Sequence, residues 1–211
     1  MALQYALFDL DETLYAREVR LLPAIDDRCV LFIADMFALD FEAADQKRLY
    51  YNKMYGTVLR GLLQEETVDI GHYLTYIHEV PVQEFLGPSA ELARVLADIP
   101  LRKYIFTNSY RKHAENVINV LGIAEHFDGI FDIQSVDYVS KPARHSYMTV
   151  VSLLGTEAKA CVFIDDQVRN MQEPKLLGMK TILIDAEPNE WVDIKVESIL
   201  DVGQAIKQLN S

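Results

Sequence analysis

Tyr5-Ala6-Leu7-Phe8-Asp9-Leu10-Asp11-Glu12-Thr13-Leu14-Tyr15 is the stretch on which the fold turns. Its opening run is continuously apolar, as in a strand buried on both faces. Two carboxylates follow where that strand should end. In an extended chain, residues two apart share a face, so Asp9 and Asp11 would sit close enough to repel each other. Such a pair persists when a cation neutralises it or when one member keeps its proton.

Four more short apolar runs lie downstream, at 104–106, 129–133, 161–164 and 181–184. Helical patterns separate them: 110–121 ends at Gly122, 142–154 at Gly155, and 168–177 at Gly178, each glycine a plausible C-cap. Pro142 opens the second of these, where a first turn tolerates proline, while Pro174 interrupts the third, can be accommodated near a helix start, and leaves that boundary open. Apolar strands alternating with helices of this length predict a parallel sheet covered on both faces. Residues 16–86 break the rhythm. They carry no strand pattern, only helical periodicity: Cys29, Phe32, Ile33 and Met36 recur at three and four, as do Tyr51, Met54, Tyr55 and Val58. Gly87-Pro88 closes the block, and a helical run at 89–99 leads back to the sheet. The expected architecture is a doubly wound α/β core of residues 1–15 and 87–211, with an all-helical insertion of residues 16–86 after the first strand.

The 211 residues suffice for a sizeable core, and the chain is 50% hydrophobic and 25% charged, the balance of an ordinary globular protein. A net charge of −12 argues against nucleic acid or an anionic membrane as a partner held by bulk electrostatics. A small phosphorylated molecule stays compatible, because a bound divalent cation inverts the local field. Cys29 and Cys161 lie in apolar surroundings without metal-ligand spacing and read as reduced core residues. With no leader pattern and no apolar run long enough for a bilayer, the expected location is cytoplasmic. His72, His78, His113, His126 and His145 are scattered without metal spacing and read as surface or structural residues.

Each strand-like run that matters is followed by a polar cluster. Asp9 and Asp11 follow Phe8, Thr107-Asn108-Ser109 follows Phe106, Lys141-Pro142 comes soon after the third run, and Asp165-Asp166 follows Ile164. In an open parallel sheet, ligands bind beyond the carboxyl ends of the strands, so these clusters should converge. Their chemistry is mutually consistent. A carboxylate nucleophile splits a hard hydrolysis into two easier steps, and a second carboxylic acid protonates a leaving oxygen and then activates water. A hydroxyl with helix-start N–H groups holds phosphate oxygens. A lysine and Mg²⁺ spread negative charge, the metal taking oxygens from Asp9, a backbone carbonyl and one of Asp165 or Asp166.

Asp9-Leu10-Asp11-Glu12-Thr13, Thr107-Asn108-Ser109, Lys141-Pro142 and Phe163-Ile164-Asp165-Asp166 resemble the four ordered motifs of the haloacid dehalogenase superfamily of phosphohydrolases, with Asn170 and Leu177-Gly178-Met179-Lys180-Thr181 continuing the likeness. The resemblance implies a Rossmann-like core and a mobile helical cap that closes over the leaving group and selects it. It makes Asp9 the nucleophile and Asp11 the general acid/base. Thr107 and Lys141 would bind the phosphoryl group, with the Asn108 backbone assisting. Asp9, the Asp11 carbonyl and Asp166 would ligate Mg²⁺, with Asp165 nearby or acting through water. Dehalogenases of the superfamily lack the second aspartate, since halide leaves without a proton; Asp11 therefore points to phosphate esters, with a mutase as a related possibility. Tyr50-Tyr51-Asn52-Lys53-Met54-Tyr55-Gly56 and Leu59-Arg60-Gly61-Leu62 are similar to the cap of the pyrimidine 5′-nucleotidase subfamily. That likeness implies a nucleoside 5′-monophosphate such as UMP or CMP, with Tyr51 or Tyr55 stacking on the base and Arg60 or Asn52 reaching its polar edge. Phosphoglycolate, a sugar phosphate or a lysophosphatidate are the competing substrates. A non-catalytic binding module on the same fold is the competing class.

Overall fold

The computed structural model describes residues 2–210; residues 1 and 211, which the sequence assigns to the α/β part, lie outside the described residues. Among the described residues, six strands, β1 (Tyr5–Phe8), β2 (Arg102–Phe106), β3 (Gly129–Phe131), β4 (Cys161–Asp165), β5 (Lys180–Ile184) and β6 (Ile194–Val196), form one sheet in the order 3-2-1-4-5-6. Every pairing is parallel. This is the doubly wound order, in which the winding reverses between β1 and β4 and leaves a crevice at the strand ends. The first strand of the chain is thus central: Phe8 is level with Ile105 on one side and Ile164 on the other. Ala6, Leu7, Phe8, Ile105, Phe106, Phe163 and Ile164 are fully buried, as a sheet covered on both faces requires.

The helices in chain order are α1 (Leu21–Phe37), α2 (Phe41–Tyr55), α3 (Val58–Glu65), α4 (Ile70–Ile77), α5 (Ala90–Ala97), α6 (Arg111–Val120), α7 (Arg144–Leu154), α8 (Gln172–Leu177) and α9 (Val202–Leu209). Two starts differ from the sequence pattern. Pro142 lies ahead of α7 instead of opening it, because the Ala143 N–H closes a turn on the Ser140 carbonyl at 3.0 Å and Ala143 is extended. Residues Val168–Asn170 form a separate 3₁₀ turn, and α8 begins at Gln172. Pro174 then falls in the first turn of α8, where no helical N–H bond is lost. β6 lies outside the sequence pattern altogether.

The chain divides into two compact units: one takes the chain up to Ala16 and from Leu86 onward, the other is Arg17–Phe85. The second unit is wholly helical, and α2, α3 and α4 start at side-chain caps, while α1 follows Arg20 without one. Asp40 accepts from the Ala43 N–H at 2.8 Å, Thr57 from Arg60 at 3.2 Å and Asp69 from His72 at 3.0 Å. Inside it, the Phe32 ring meets Tyr73 edge-on at 5.0 Å, and Arg48 joins α2 to α1 through Asp26 at 3.3 Å. Cys29 and Cys161 are free and buried, and burial pushes the Cys29 thiol up to about 11 and that of Cys161 to about 12. No helix among the described residues is long and apolar enough to cross a membrane.

Candidate active site

One residue beyond the last β1–β4 pair, Phe8 and Ile164, come Asp9, just past β1, and Asp165, the last residue of β4. Lys141 Nζ bridges them, donating to Asp9 Oδ1 and to Asp165 Oδ2 at 2.8 Å each. Lys141 is only 3% exposed and Asp165 fully buried, so this is an ion-paired network inside the protein. Burial works against the ammonium charge, but Asp165 and Asp9 outweigh it and hold the lysine pKa above its ordinary value. The backbone of Lys141 is itself fixed. Asn108 accepts from the Lys141 N–H at 2.8 Å and donates its amide to the Lys141 carbonyl at 3.2 Å, fastening the end of β2 to the segment before α7. Thr107, nearly fully buried, accepts from the Ser109 N–H at 3.0 Å.

Asp9 and Asp11 are held by different partners. The chain leaves the strand at Phe8 and turns, with the Leu14 N–H on the Leu10 carbonyl at 2.9 Å and Glu12 in the left-handed region at φ 59°. That conformation is uncommon for a side chain other than glycine and costs roughly 1–2 kcal/mol. The turn sends Asp11 to a second set of partners. Its Oδ1 accepts from Tyr15 Oη at 2.7 Å and from His113 Nε2 at 2.8 Å, and its Oδ2 accepts from Ser109 Oγ at 2.6 Å. Burial opposes the Asp11 charge, but His113, Ser109 and Tyr15 together hold its carboxyl well below the usual carboxylate range. Tyr15, raised by burial and by the Asp11 charge, keeps its proton for this bond.

The carboxylates on the Asp9 side behave in the opposite way. Burial pushes the Asp9 carboxyl above its ordinary range; Lys141 opposes this and Asp165 reinforces it. Burial and then the Asp165 charge push Asp166 up to about 6. Asp9, Asp165 and Asp166 each offer an oxygen, and these oxygens lie within 4.8 Å of one another. An all-oxygen set whose charges are crowded and buried suits a hard divalent cation, which relieves both stresses at once. Asp165 takes Lys141, the Gln167 N–H at 2.7 Å and the Asn170 amide at 3.0 Å to each oxygen, while Asp166 Oδ2 accepts from the Gln167 side-chain amide. The Thr13 hydroxyl lies 3.4 Å from Asp9 Oδ2 and 3.5 Å from Asp166 Oδ1.

The structure thus brings Asp9, Lys141, Asp165 and Asp166 together, with Asn108 holding Lys141. Of the residues expected to meet a base, Asn52 and Arg60 are exposed and Tyr55 is half-buried, its hydroxyl on Glu65 at 2.7 Å. Tyr51 differs. It is fully buried in the helical unit, against Gly61, and is a packing residue with no surface left for a ligand. Its position in an aromatic stripe at helical spacing accounts for this. Of the two readings the sequence leaves for His113, surface or structural, the structural one holds: it is fully buried and bonded to Asp11, a partner the sequence does not name, and the one clue is its place in the first turn after Thr107-Asn108-Ser109.

Comparison with known proteins agrees with this geometry. A family model described as haloacid dehalogenase-like hydrolase matches residues 3–178. Phosphate metabolism protein 8 of Saccharomyces cerevisiae is 28% identical over 191 residues, which cover 83% of this chain and 60% of that protein. The chain therefore matches well under two thirds of its yeast relative. Among solved structures, a HAD phosphatase from Thermococcus onnurineus superposes with a TM-score of 0.63 at 14% identity, covering 97% of this chain and 98% of that one. L-2-haloacid dehalogenase from Xanthobacter autotrophicus gives a TM-score of 0.62 at 17% identity, with the same coverage. Those two likenesses speak for the fold.

Proposed function

Because the chain belongs to the haloacid dehalogenase-like hydrolases, we propose that it is a Mg²⁺-dependent phosphomonoesterase working through an aspartyl-phosphate on Asp9, with nucleoside 5′-monophosphates of the UMP and CMP type as substrates. The observation that carries the phosphatase reading is Asp11, a second carboxyl group held by three donors beside the first. A leaving halide needs no proton, whereas a leaving alkoxide does.

In the first step an Asp9 oxygen attacks phosphorus, the phosphorus–ester oxygen bond breaks, and Asp11, which its donors hold ionised in the free protein and which must take up a proton as the phosphate binds, passes that proton to the departing oxygen. In the second, the Asp11 carboxylate takes a proton from water, whose oxygen attacks the same phosphorus and frees Asp9 and inorganic phosphate. The charged Lys141 offsets the negative charge that gathers on the phosphoryl oxygens and fixes Asp9 in place. Asp9, Asp166 and the Asp11 carbonyl would hold Mg²⁺, which when bound would supply Lewis-acid charge to those same oxygens. The hydrogen bonds already made to Asp165 favour Asp166 as the direct ligand and leave Asp165 to orient Lys141. Asn52, Tyr55 and Arg60 of the helical insertion are the proposed contacts to the nucleoside.

The test is phosphate release from a panel of UMP, CMP, purine nucleotides, phosphoglycolate, sugar phosphates and a lysophosphatidate, with Mg²⁺ and with EDTA, alongside halide release from 2-chloropropionate. Mg²⁺-dependent turnover led by UMP and CMP, absent in Asp9→Asn, is the expected result. Turnover led by another ester keeps the phosphatase and retires the nucleotide. Silence on every ester, at a protein concentration that would detect slow enzymes, favours the binding module. Arg60→Ala is expected to raise KM for nucleotides and leave p-nitrophenyl phosphate unchanged.

A further inference from the structure

The three donors to Asp11 are unevenly shared. Oδ1 takes two, from the Tyr15 hydroxyl and from His113 Nε2, while Oδ2 takes one, the Ser109 hydroxyl. An ionised carboxylate only accepts, so His113 Nε2 carries the proton of their bond. The imidazole has no exposed surface and sits in the first turn of α6. That turn is fixed from outside: Asp132, at the end of β3, accepts the Arg111 N–H at 3.1 Å. Oδ1 is therefore gripped by two side chains that cannot easily leave it. The partner of Oδ2 is a hydroxyl, free to rotate about its C–O bond.

We propose that His113 is a positioning residue for proton transfer: with Tyr15 it pins Oδ1 and stops rotation of the Asp11 carboxyl, so that Oδ2 is the oxygen that gives a proton to the leaving group and takes one from water. The proposal rests on the general acid/base reading of Asp11. It concerns orientation alone, and it assigns work to a histidine that acts through Asp11.

The leaving group provides the readout. A p-nitrophenolate departs with little help, whereas an alkoxide requires the proton, and kcat/KM reports the step in which the ester bond breaks. The experiment compares kcat/KM for p-nitrophenyl phosphate and for glycerol 2-phosphate in wild type, Asp11→Asn, His113→Leu and His113→Gln. His113→Leu, which keeps buried volume but has no donor, is expected to lose about tenfold or more on glycerol 2-phosphate beyond its loss on the aryl ester, a part of the 10²–10⁴ that a general acid contributes. His113→Gln, whose amide reaches the same oxygen, should recover most of that difference. Should His113→Leu fail to accumulate, His113→Asn, whose amide falls short of Oδ1, takes its place with the same expected loss. Equal losses on both esters make His113 a packing residue, and no loss on either removes any role; each overturns the proposal. If Asp11→Asn itself fails to distinguish the two esters, the general-acid reading falls and the proposal with it. If Asp11→Asn distinguishes them and His113→Leu does not, the proposal falls alone.

Discussion

Lys141 is the side chain whose loss leaves the most uncompensated charge behind. Lys141→Met would strand Asp9 and Asp165 as neighbouring buried carboxylates, and breaking a buried pair in this way is worth about 3–5 kcal/mol. Urea denaturation in metal-free buffer should show that loss, and adding Asp165→Asn to the same protein should recover part of it, since the two sites share one network. A loss below about 1 kcal/mol would mean that the network is solvated and the charges cheap. Gly61 offers a second residue-scale prediction with two opposing effects. Alanine normally improves a helix interior by about 1 kcal/mol over glycine. Here a Cβ would lie 2.3 Å from the Tyr51 ring, and overpacking of a rigid, buried ring costs about 1–3 kcal/mol. Gly61→Ala should therefore lower the melting temperature, and a rise would show that the ring can move. At this scale Asp9, Lys141, Asp165 and Asp166 could be picked out in the sequence because each follows or precedes an apolar run at a fixed place. His113 could not, since its partner Asp11 is 102 residues away and no periodicity joins them.

Elements were legible where they were buried and obscure where they were held from outside. β1, β2, β4 and β5 announce themselves by continuous apolar residues, which a central parallel strand must have. β6 has only Ile194 and Val196 around Lys195 and a single neighbour, so its sequence says little. What places it is Asp193, immediately before it: this carboxylate accepts from Lys175 of α8 and from the Thr181 N–H of β5 at 3.0 Å. Burial opposes its charge, but those donors win and keep Asp193 below its ordinary pKa. A carboxylate lowered on folding adds stability that is present above its unfolded pKa and fades as pH falls through the folded one. The stability difference between wild type and Asp193→Asn should thus be constant near neutrality and shrink below about pH 4. Denaturation at pH 7 and in steps below pH 4 would show it; a difference that persists to pH 2 would mean the asparagine loses packing and not charge. The start of α7 was obscure for a similar reason, because a turn on Ser140 decides it and Pro142 does not.

For the molecule as a whole, Tyr15, Ser109, His113, Lys141, Asp165 and Asp166, the residues described around Asp9 and Asp11, all lie outside Arg17–Phe85. Replacing Arg17–Phe85 by a short glycine-serine linker should leave a folded sheet that releases phosphate from p-nitrophenyl phosphate and has lost any preference among nucleotides. A folded but inactive product would place part of the chemistry in the helical unit. The strand order has a consequence for how such a chain is made. β1 leaves the ribosome before both of its partners, β2 and β4, and the second of these ends at Asp165. At about 5–20 residues per second, the strand that carries Asp9 waits on the order of 10–30 s for its last neighbour. During that wait the locally connected helices of Arg17–Phe85 can finish folding, while a bare apolar ribbon stays open to wrong partners. The pair of aspartates at its end then serves the nascent chain as well, as charges that discourage the ribbon from pairing with a copy of itself.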